Sequence, residues 1–239
     1  MLNNISGLLG DKPVIPYSTT VLQDSPRGFW LMNETSGSTF ADTSGVGPNN
    51  ATIYNSPTLN QAGPSAALSK SVSFNGSTQY ARTSVVSTFA IAPSANWSVE
   101  GWFKTGATAL QSMIYVGNLD ANSSGMLTQI GVNSDNKAFA TLITNGPGFL
   151  TITSTATFND NAWHYLAVTS VSGGVVNLYV DGTSVASTST ARRTTAVDAC
   201  VNIGSQIGQY YFNGNVTGAA VYNTTLSSTR ITAHYNAGK

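Results

Sequence analysis

Between Asn161 and Ser187 the chain spells out three strands together with the turns that join them. Trp163, Tyr165, Ala167 and Thr169 alternate with Leu166 and Val168, so both faces of this strand carry apolar groups and both need cover. After a break at Ser172-Gly173-Gly174, Val175 to Val180 forms a second strand that ends on Asp181-Gly182. That dipeptide takes the two positive-φ positions of a tight type I′ turn, and Thr183 to Ala186 pairs back as a hairpin. A chain built around this stretch has to fold as β-sheet. The stretch specifies no reaction.

The rest reads the same way from Gly28 onward. Strands are predicted at Phe29–Met32, Ala51–Tyr54, Trp97–Lys104, Ser112–Val116, Met126–Val132, Ala138–Ile143, Leu150–Thr153, Val201–Ile203 and Phe212–Tyr222. Val72 to Tyr80 reads as a hairpin about an Asn75-Gly76 turn, and Pro57 to Pro64 as a loop. One helix is expected at the end. Ser227 or Ser228 caps it, Ile231 and Tyr235 share a face at i and i+4, and Gly238 occupies the C′ position. Many short strands joined by Gly and Asn turns argue a two-sheet sandwich.

Residues 1 to 26 differ. Leu2, Ile5, Leu8 and Leu9 could form one or two apolar helical turns, interrupted by Gly7 and Gly10. Pro13 and Pro16 then hold Val14 and Ile15 extended. Such a segment has too few apolar residues to fold alone, so it either drapes on its own domain or docks on another subunit. The expected organisation is an N-terminal arm, 1–26, and one domain, 27–239.

In sequence order, the motifs carry a resemblance. Phe29-Trp30 with Asp42-Thr-Ser-Gly45, Val72-Ser-Phe74-Asn75-Gly76 with Tyr80, and Trp97-Ser-Val-Glu100-Gly-Trp102 come first. Trp163-His164-Tyr-Leu-Ala-Val, Leu178-Tyr-Val-Asp181-Gly182, Phe212-Asn-Gly214 and Leu226-Ser227 follow. Together they resemble the laminin-G-like jelly roll of the concanavalin A-like lectin and glucanase superfamily over about 210 residues. The resemblance implies an all-β, two-sheet jelly-roll sandwich with a short C-terminal helix and an extended N-terminal arm. It also implies that His164 is structural. It leaves function open, since the superfamily includes sugar binders, adhesion modules, hydrolases and virion appendages.

Composition narrows the partners. Only 8% of the 239 residues are charged, ten basic and ten acidic, while 41% are hydrophobic. The surface is therefore built from Ser, Thr, Asn and Gly. Nucleic-acid binding needs many cations to neutralise phosphate, and Arg192-Arg193 is the only adjacent basic pair. No stretch approaches the roughly 20 apolar residues of a membrane span. Cys200, the only cysteine, lies between Ala199 and Val201 and reads as a buried apolar residue. The Asn-x-Ser/Thr sequons, such as Asn50-Ala-Thr52, follow from composition.

Hydrolysis of a glycosidic bond requires two carboxylates about 5 to 9.5 Å apart across a cleft. The glutamates, Glu34 and Glu100, are far apart in sequence. Glu100 is read as a hydrogen-bond acceptor on a central strand, and Trp102 and Trp163 as core. No cofactor is expected. Calcium would need six to eight converging oxygens, and Asp42 is the best single candidate, with an Asx turn as the favoured reading of that residue. The family's acidic pair after its last F-x-G motif is replaced here by Val216-Thr217-Gly218. Sugar recognition uses exposed aromatic platforms with polar neighbours. Gln209, Tyr210 and Tyr211 with the loop residues Asn118 and Asp120 are the candidate carbohydrate site.

The expectation is a non-enzymatic phage surface protein, a capsid decoration or minor tail component, placed on the exterior of the virion after lysis because no export signal is visible. Its partners would be other virion proteins, held through Leu2, Ile5, Leu8, Leu9, Val14 and Ile15, possible further copies of itself as a homo-oligomer, and a cell-surface glycan. A secreted carbohydrate-binding or adhesion module is the alternative, and a glycoside hydrolase the remote one.

Overall fold

The computed structural model describes residues 16–119, 125–146 and 148–239. In chain order the elements are α1 (Tyr17–Leu22), β1 (Gly28–Trp30), β2 (Thr39–Phe40), β3 (Ala51–Tyr54), β4 (Thr58–Ala62), β5 (Lys70–Asn75) and β6 (Tyr80–Arg82). Then come β7 (Trp97–Lys104), β8 (Gln111–Gly117), β9 (Met126–Val132), β10 (Lys137–Ile143), β11 (Phe149–Thr157) and β12 (Trp163–Ser170). The chain closes with β13 (Val176–Val180), β14 (Thr183–Thr188), β15 (Cys200–Ile203), β16 (Asn213–Tyr222) and α2 (Ser228–Gly238).

Two antiparallel sheets face each other. Sheet A runs β14-β13-β12-β7-β16-β5-β4, with β1 also paired to β16; sheet B runs β11-β10-β9-β8-β15-β6-β3-β2. The expected jelly-roll sandwich is what forms. The alternation along β7 shows how one strand serves two cores. Val99 and Phe103 face sheet B and join the main core with Leu166, Val168, Ile114 and Ile130. Trp102 faces the other way, into a second core with Tyr165, Tyr222, Ile231 and Tyr17. Asp181 and Gly182, at φ 50° and 78°, make the predicted hairpin turn between β13 and β14.

Three readings of the sequence are corrected. Val72 to Tyr80 is not a hairpin: β5 belongs to sheet A and β6 to sheet B, so the chain crosses the sandwich at Asn75-Gly76. Asn75 Oδ1 tightens that corner by accepting from the amides of Ser77, Thr78 and Gln79. Pro57 to Pro64 is not all loop, because Thr58–Ala62 pairs with β5 as an edge strand. Gly238 lies within α2 rather than beyond it, and a side chain there would strike the Trp102 ring.

Of the expected arm, residues 1–15, including Leu2, Ile5, Leu8, Leu9, Val14 and Ile15, lie outside the described residues. From Tyr17 the chain is helical and part of the domain. Tyr17 and Val21 are fully buried, and the Tyr17 hydroxyl donates to the Gly218 carbonyl. Gly218, at φ +62°, sits so close that an added Cβ would lie 2.9 Å from the Tyr17 ring. The chain segment where the resemblance would put acidic residues therefore makes room for a helix.

A buried ionic cluster fastens both helices to sheet A. Glu100 is fully buried and is flanked across the strands by Ala167 and Ala220, which leaves space above it. Tyr165 and Tyr222 donate their hydroxyls to its carboxylate. His234 of α2 places Nδ1 at 3.0 and 2.9 Å from the two Glu100 oxygens and Nε2 at 2.8 Å from Asp24 Oδ2. Arg230 Nε reaches the same Asp24 oxygen at 2.7 Å. Each imidazole nitrogen faces a carboxylate acceptor, so both carry a proton, and two cations balance two anions.

Burial alone would lower the His234 pKa, but Glu100 and Asp24 outweigh it and hold it above the ordinary 6.5. The contribution of a raised histidine is complete below the unfolded value and is lost as pH climbs through the folded one. The melting temperature is therefore expected to fall as pH rises above about 6.5, and His234→Gln should flatten that slope. His234→Ala leaves Glu100 buried without its cation and should cost about 3–5 kcal/mol in urea denaturation.

Candidate functional site

Two of the chain's crossings between sheets place a cluster of tyrosines on sheet B. Tyr54 ends β3, and the chain then turns through Asn55 and Ser56, both at positive φ, into sheet A. Tyr80 opens β6, just after the return crossing. The corners are tied to each other: Asn55 Nδ2 donates to the Thr78 carbonyl at 2.7 Å and Gln79 Nε2 to the Ser56 carbonyl at 3.0 Å. Because β3 pairs with β6, Tyr54 lies directly opposite Tyr80. Their rings stack with centroids 4.5 Å apart and planes 9° from parallel.

Tyr211 extends this shelf, its ring 6.2 Å from that of Tyr80. Arg82, two residues along β6 on the same face, sets its guanidinium carbon 5.4 Å from the Tyr54 centroid and 5.9 Å from that of Tyr80. Burial raises the Tyr80 phenol, with Arg82 pulling against it and Tyr54 and Tyr211 reinforcing it, so the phenol stays neutral at physiological pH. Beside the shelf is a cavity of about 180 Å³, lined by Thr52, Tyr54, Arg82, Thr83, Ser84, Val85 and Leu119. Tyrosine faces, a guanidinium and hydroxyls around one cavity suit a ligand with both an apolar face and a polar rim.

The residues expected for a sugar site divide. Tyr211 joins the shelf. Gln206 to Gln209 closes a tight turn through Ile207 and Gly208, both at positive φ, which carries Gln209 into solvent and leaves Tyr210 44% exposed. Tyr210 is anchored by its backbone, its carbonyl accepting from the Ser112 amide. Asn118 starts the loop beside the cavity, its amide donating to the Gly125 carbonyl and its carbonyl accepting from the Tyr115 hydroxyl. Its neighbour Leu119 lines the cavity. Asp120 lies outside the described residues.

Sequence reasoning missed Tyr54, Tyr80 and Arg82 as site residues. Tyr54 and Tyr80 are 26 positions apart, and only the pairing of β3 with β6 unites them. The false hairpin reading sent Tyr80 to the wrong sheet.

The other chemical candidates are committed to structure. Asp42 Oδ1 accepts from the amides of Phe29 and Ser44, and Oδ2 from the amide and side chain of Asn49. This is the Asx turn, extended to hold the β1 strand, and N–H donors stand where a calcium ligand set would need oxygens. Glu34 accepts from the Ala41 amide. Glu100 is saturated within its buried cluster. His164 lies between Asp181 at 2.8 Å and Asp160 at 3.1 Å. Burial opposes its protonation, but the two carboxylates prevail and raise its pKa. Arg192, from the one adjacent basic pair, is buried and donates to the carbonyls of Pro93, Gly174 and Val171. Cys200 is buried, its thiol pushed up by desolvation. Trp102 is core and Trp163 is partly buried against the helix-covered face. No helix among the described residues is long and apolar enough to cross a membrane.

A family model described as the concanavalin A-like lectin/glucanases superfamily matches residues 75–232. The chain belongs to that superfamily. No curated relative matches it. Among solved structures it is similar to the binding domain of Paraclostridial Mosquitocidal Protein 1, with 14% identity and a TM-score of 0.68, over 90% of this chain and 52% of that one. It is similar to the binding domain of botulinum neurotoxin DC in complex with rat synaptotagmin II, with 16% identity and a TM-score of 0.64, over 91% and 52%. It is also similar to domain 4 of AbnA, a GH43 extracellular arabinanase from Geobacillus stearothermophilus, in complex with arabinotriose. That match has 16% identity and a TM-score of 0.64, over 88% and 98%. The chain spans about half the length of the toxin binding domains and nearly all of the arabinanase domain. At these identities the likeness is one of fold.

Asp42→Ala removes four hydrogen bonds to one carboxylate and should cost about 2–3 kcal/mol, measured by urea denaturation. Added calcium or chelator is expected to leave the melting temperature of the unmodified protein unchanged.

Proposed function

We propose that this chain is a non-enzymatic glycan-binding domain displayed on a phage particle, as a capsid decoration or minor tail component. The observation that carries the binding part is the shelf of Tyr54, Tyr80 and Tyr211 with Arg82 beside an open cavity. Aromatic faces take the apolar side of a pyranose, and the surrounding hydroxyls take its rim. Domain 4 of AbnA carries arabinotriose on a similar fold, which supports a sugar as the ligand class. The non-enzymatic part is supported by Glu100, whose carboxylate is buried beneath helices and fully engaged.

Two features support the particle. The charged fraction of 8% leaves polar and apolar contacts to make the attachment. The apolar residues Leu2, Ile5, Leu8, Leu9, Val14 and Ile15 precede α1 in the sequence and offer apolar side chains for such an attachment. The same shelf would serve a secreted or surface adhesion module, so placement is tested separately from binding.

On a glycan array the full chain is expected to retain a defined set of glycans. Tyr54→Ala should weaken that binding about tenfold, in keeping with the loss of one stacking platform, with Tyr211→Ala acting in the same direction. Binding indifferent to both would remove the shelf from the account. Deleting residues 1–15 should abolish incorporation into particles, counted by mass spectrometry of purified virions, while glycan binding persists. Undiminished incorporation would remove the arm from the attachment.

A further inference from the structure

The cation on the shelf has no carboxylate partner among the described residues. Among the described residues the ion pairs use Arg230, His164 and His234, and Arg192 is occupied by three backbone carbonyls. Arg82 lies against the rings of Tyr54 and Tyr80. Among the described residues, those that line its cavity include no carboxylate. What sets Arg82 apart is its place beside two tyrosine rings at the edge of a cavity.

Resting on the glycan reading above, we propose that the shelf selects a carboxylate-bearing sugar, a uronate or a sialate, with Arg82 as the partner of the sugar carboxylate. The guanidinium is a planar fork of N–H donors whose spacing matches a carboxylate, and such bonds are stronger than neutral ones. Its place 5.4 and 5.9 Å from the Tyr54 and Tyr80 ring centroids holds the guanidinium beside the cavity without consuming its donors. Thr52 and Ser84, both exposed at the cavity rim, are placed for the sugar hydroxyls. Tyr54 and Leu119 supply apolar surface. A neutral sugar would leave the guanidinium no better satisfied than water does. A sugar acid gains a charge-assisted pair in a partly enclosed site, where screening by salt is reduced.

The test is calorimetry of the full chain with matched pairs that differ in one charge: trigalacturonate against its methyl ester, and sialyllactose against lactose. In at least one pair the acidic member is expected to bind about tenfold or more tightly than its neutral twin. The pair that shows the gap identifies the source of the carboxylate. Arg82→Gln should erase the gap, and Arg82→Lys should retain part of it. The comparison on unmodified protein stands even if a variant folds poorly. Equal affinity within both pairs, or a gap that survives Arg82→Gln in a folded variant, overturns the inference. If all four sugars fail while neutral glycans are retained on an array and lost in Tyr54→Ala, the inference falls and the glycan reading stands. A blank array together with four failures ends both.

Discussion

A carboxylate cannot sit in a protein interior without partners, and Glu100 sits there at the centre of the middle strand of a seven-strand path. Burying such a charge unpaired costs several kcal/mol or more. Its needs dictate what lies above sheet A. Two tyrosines come from the flanking strands, one from each side, and the cation comes from His234 in the last helix. His234 in turn needs Asp24, and Asp24 draws in Arg230. The chain's first and last described helices are thus fastened together over one face of the sandwich, 206 residues apart in sequence. The aromatic packing of Tyr17, Trp102 and Tyr235 fills the space around a bond pattern that is electrostatic in origin.

With one face closed by helices, the proposed recognition surface lies on the other sheet. There the important constraint is chain routing. The path leaves sheet B after Tyr54, runs out and back through β4 and β5 in sheet A, and returns at Tyr80. The two corners bond to each other, so the two tyrosines end up opposite one another. The shelf is a by-product of how the sandwich is threaded, which is why its residues sit at strand ends rather than on a long loop. Arg82 then follows from strand periodicity, two residues on and on the same face.

The strands were legible wherever local signals were complete. The Asp181-Gly182 hairpin and the double-sided burial of the Trp163–Ser170 strand needed only alternation and turn chemistry. Asn75-Gly76 carried an equally good hairpin signal and was misread, because a turn dipeptide cannot say whether the next strand returns to the same sheet or crosses to the other. Helix α1 was hidden by its six-residue length and by Pro16 before it; its helicity comes from Tyr17 and Val21 packing on a distant sheet. The buried role of Glu100 was foreseen in kind, as an acceptor from hydroxyls, but His234 is 134 positions away and no spacing rule connects them. The aromatic run at Tyr210-Tyr211 pointed to the region of the tyrosine shelf and supplied one of its three tyrosines. The other two required strand pairing that is invisible in the order of residues.

The central claim is a division of labour: a helix-covered face held by buried charge, and a recognition shelf on the opposite sheet. The most direct measurement is a map of backbone amide chemical-shift changes as a bound glycan is titrated into the full chain. The account predicts that the shifted amides cluster at Thr52 to Tyr54, Tyr80 to Ser84 and Tyr211, with those of Asp24, Glu100 and His234 unmoved. Shifts centred on the two helices, with the tyrosine shelf silent, would contradict it.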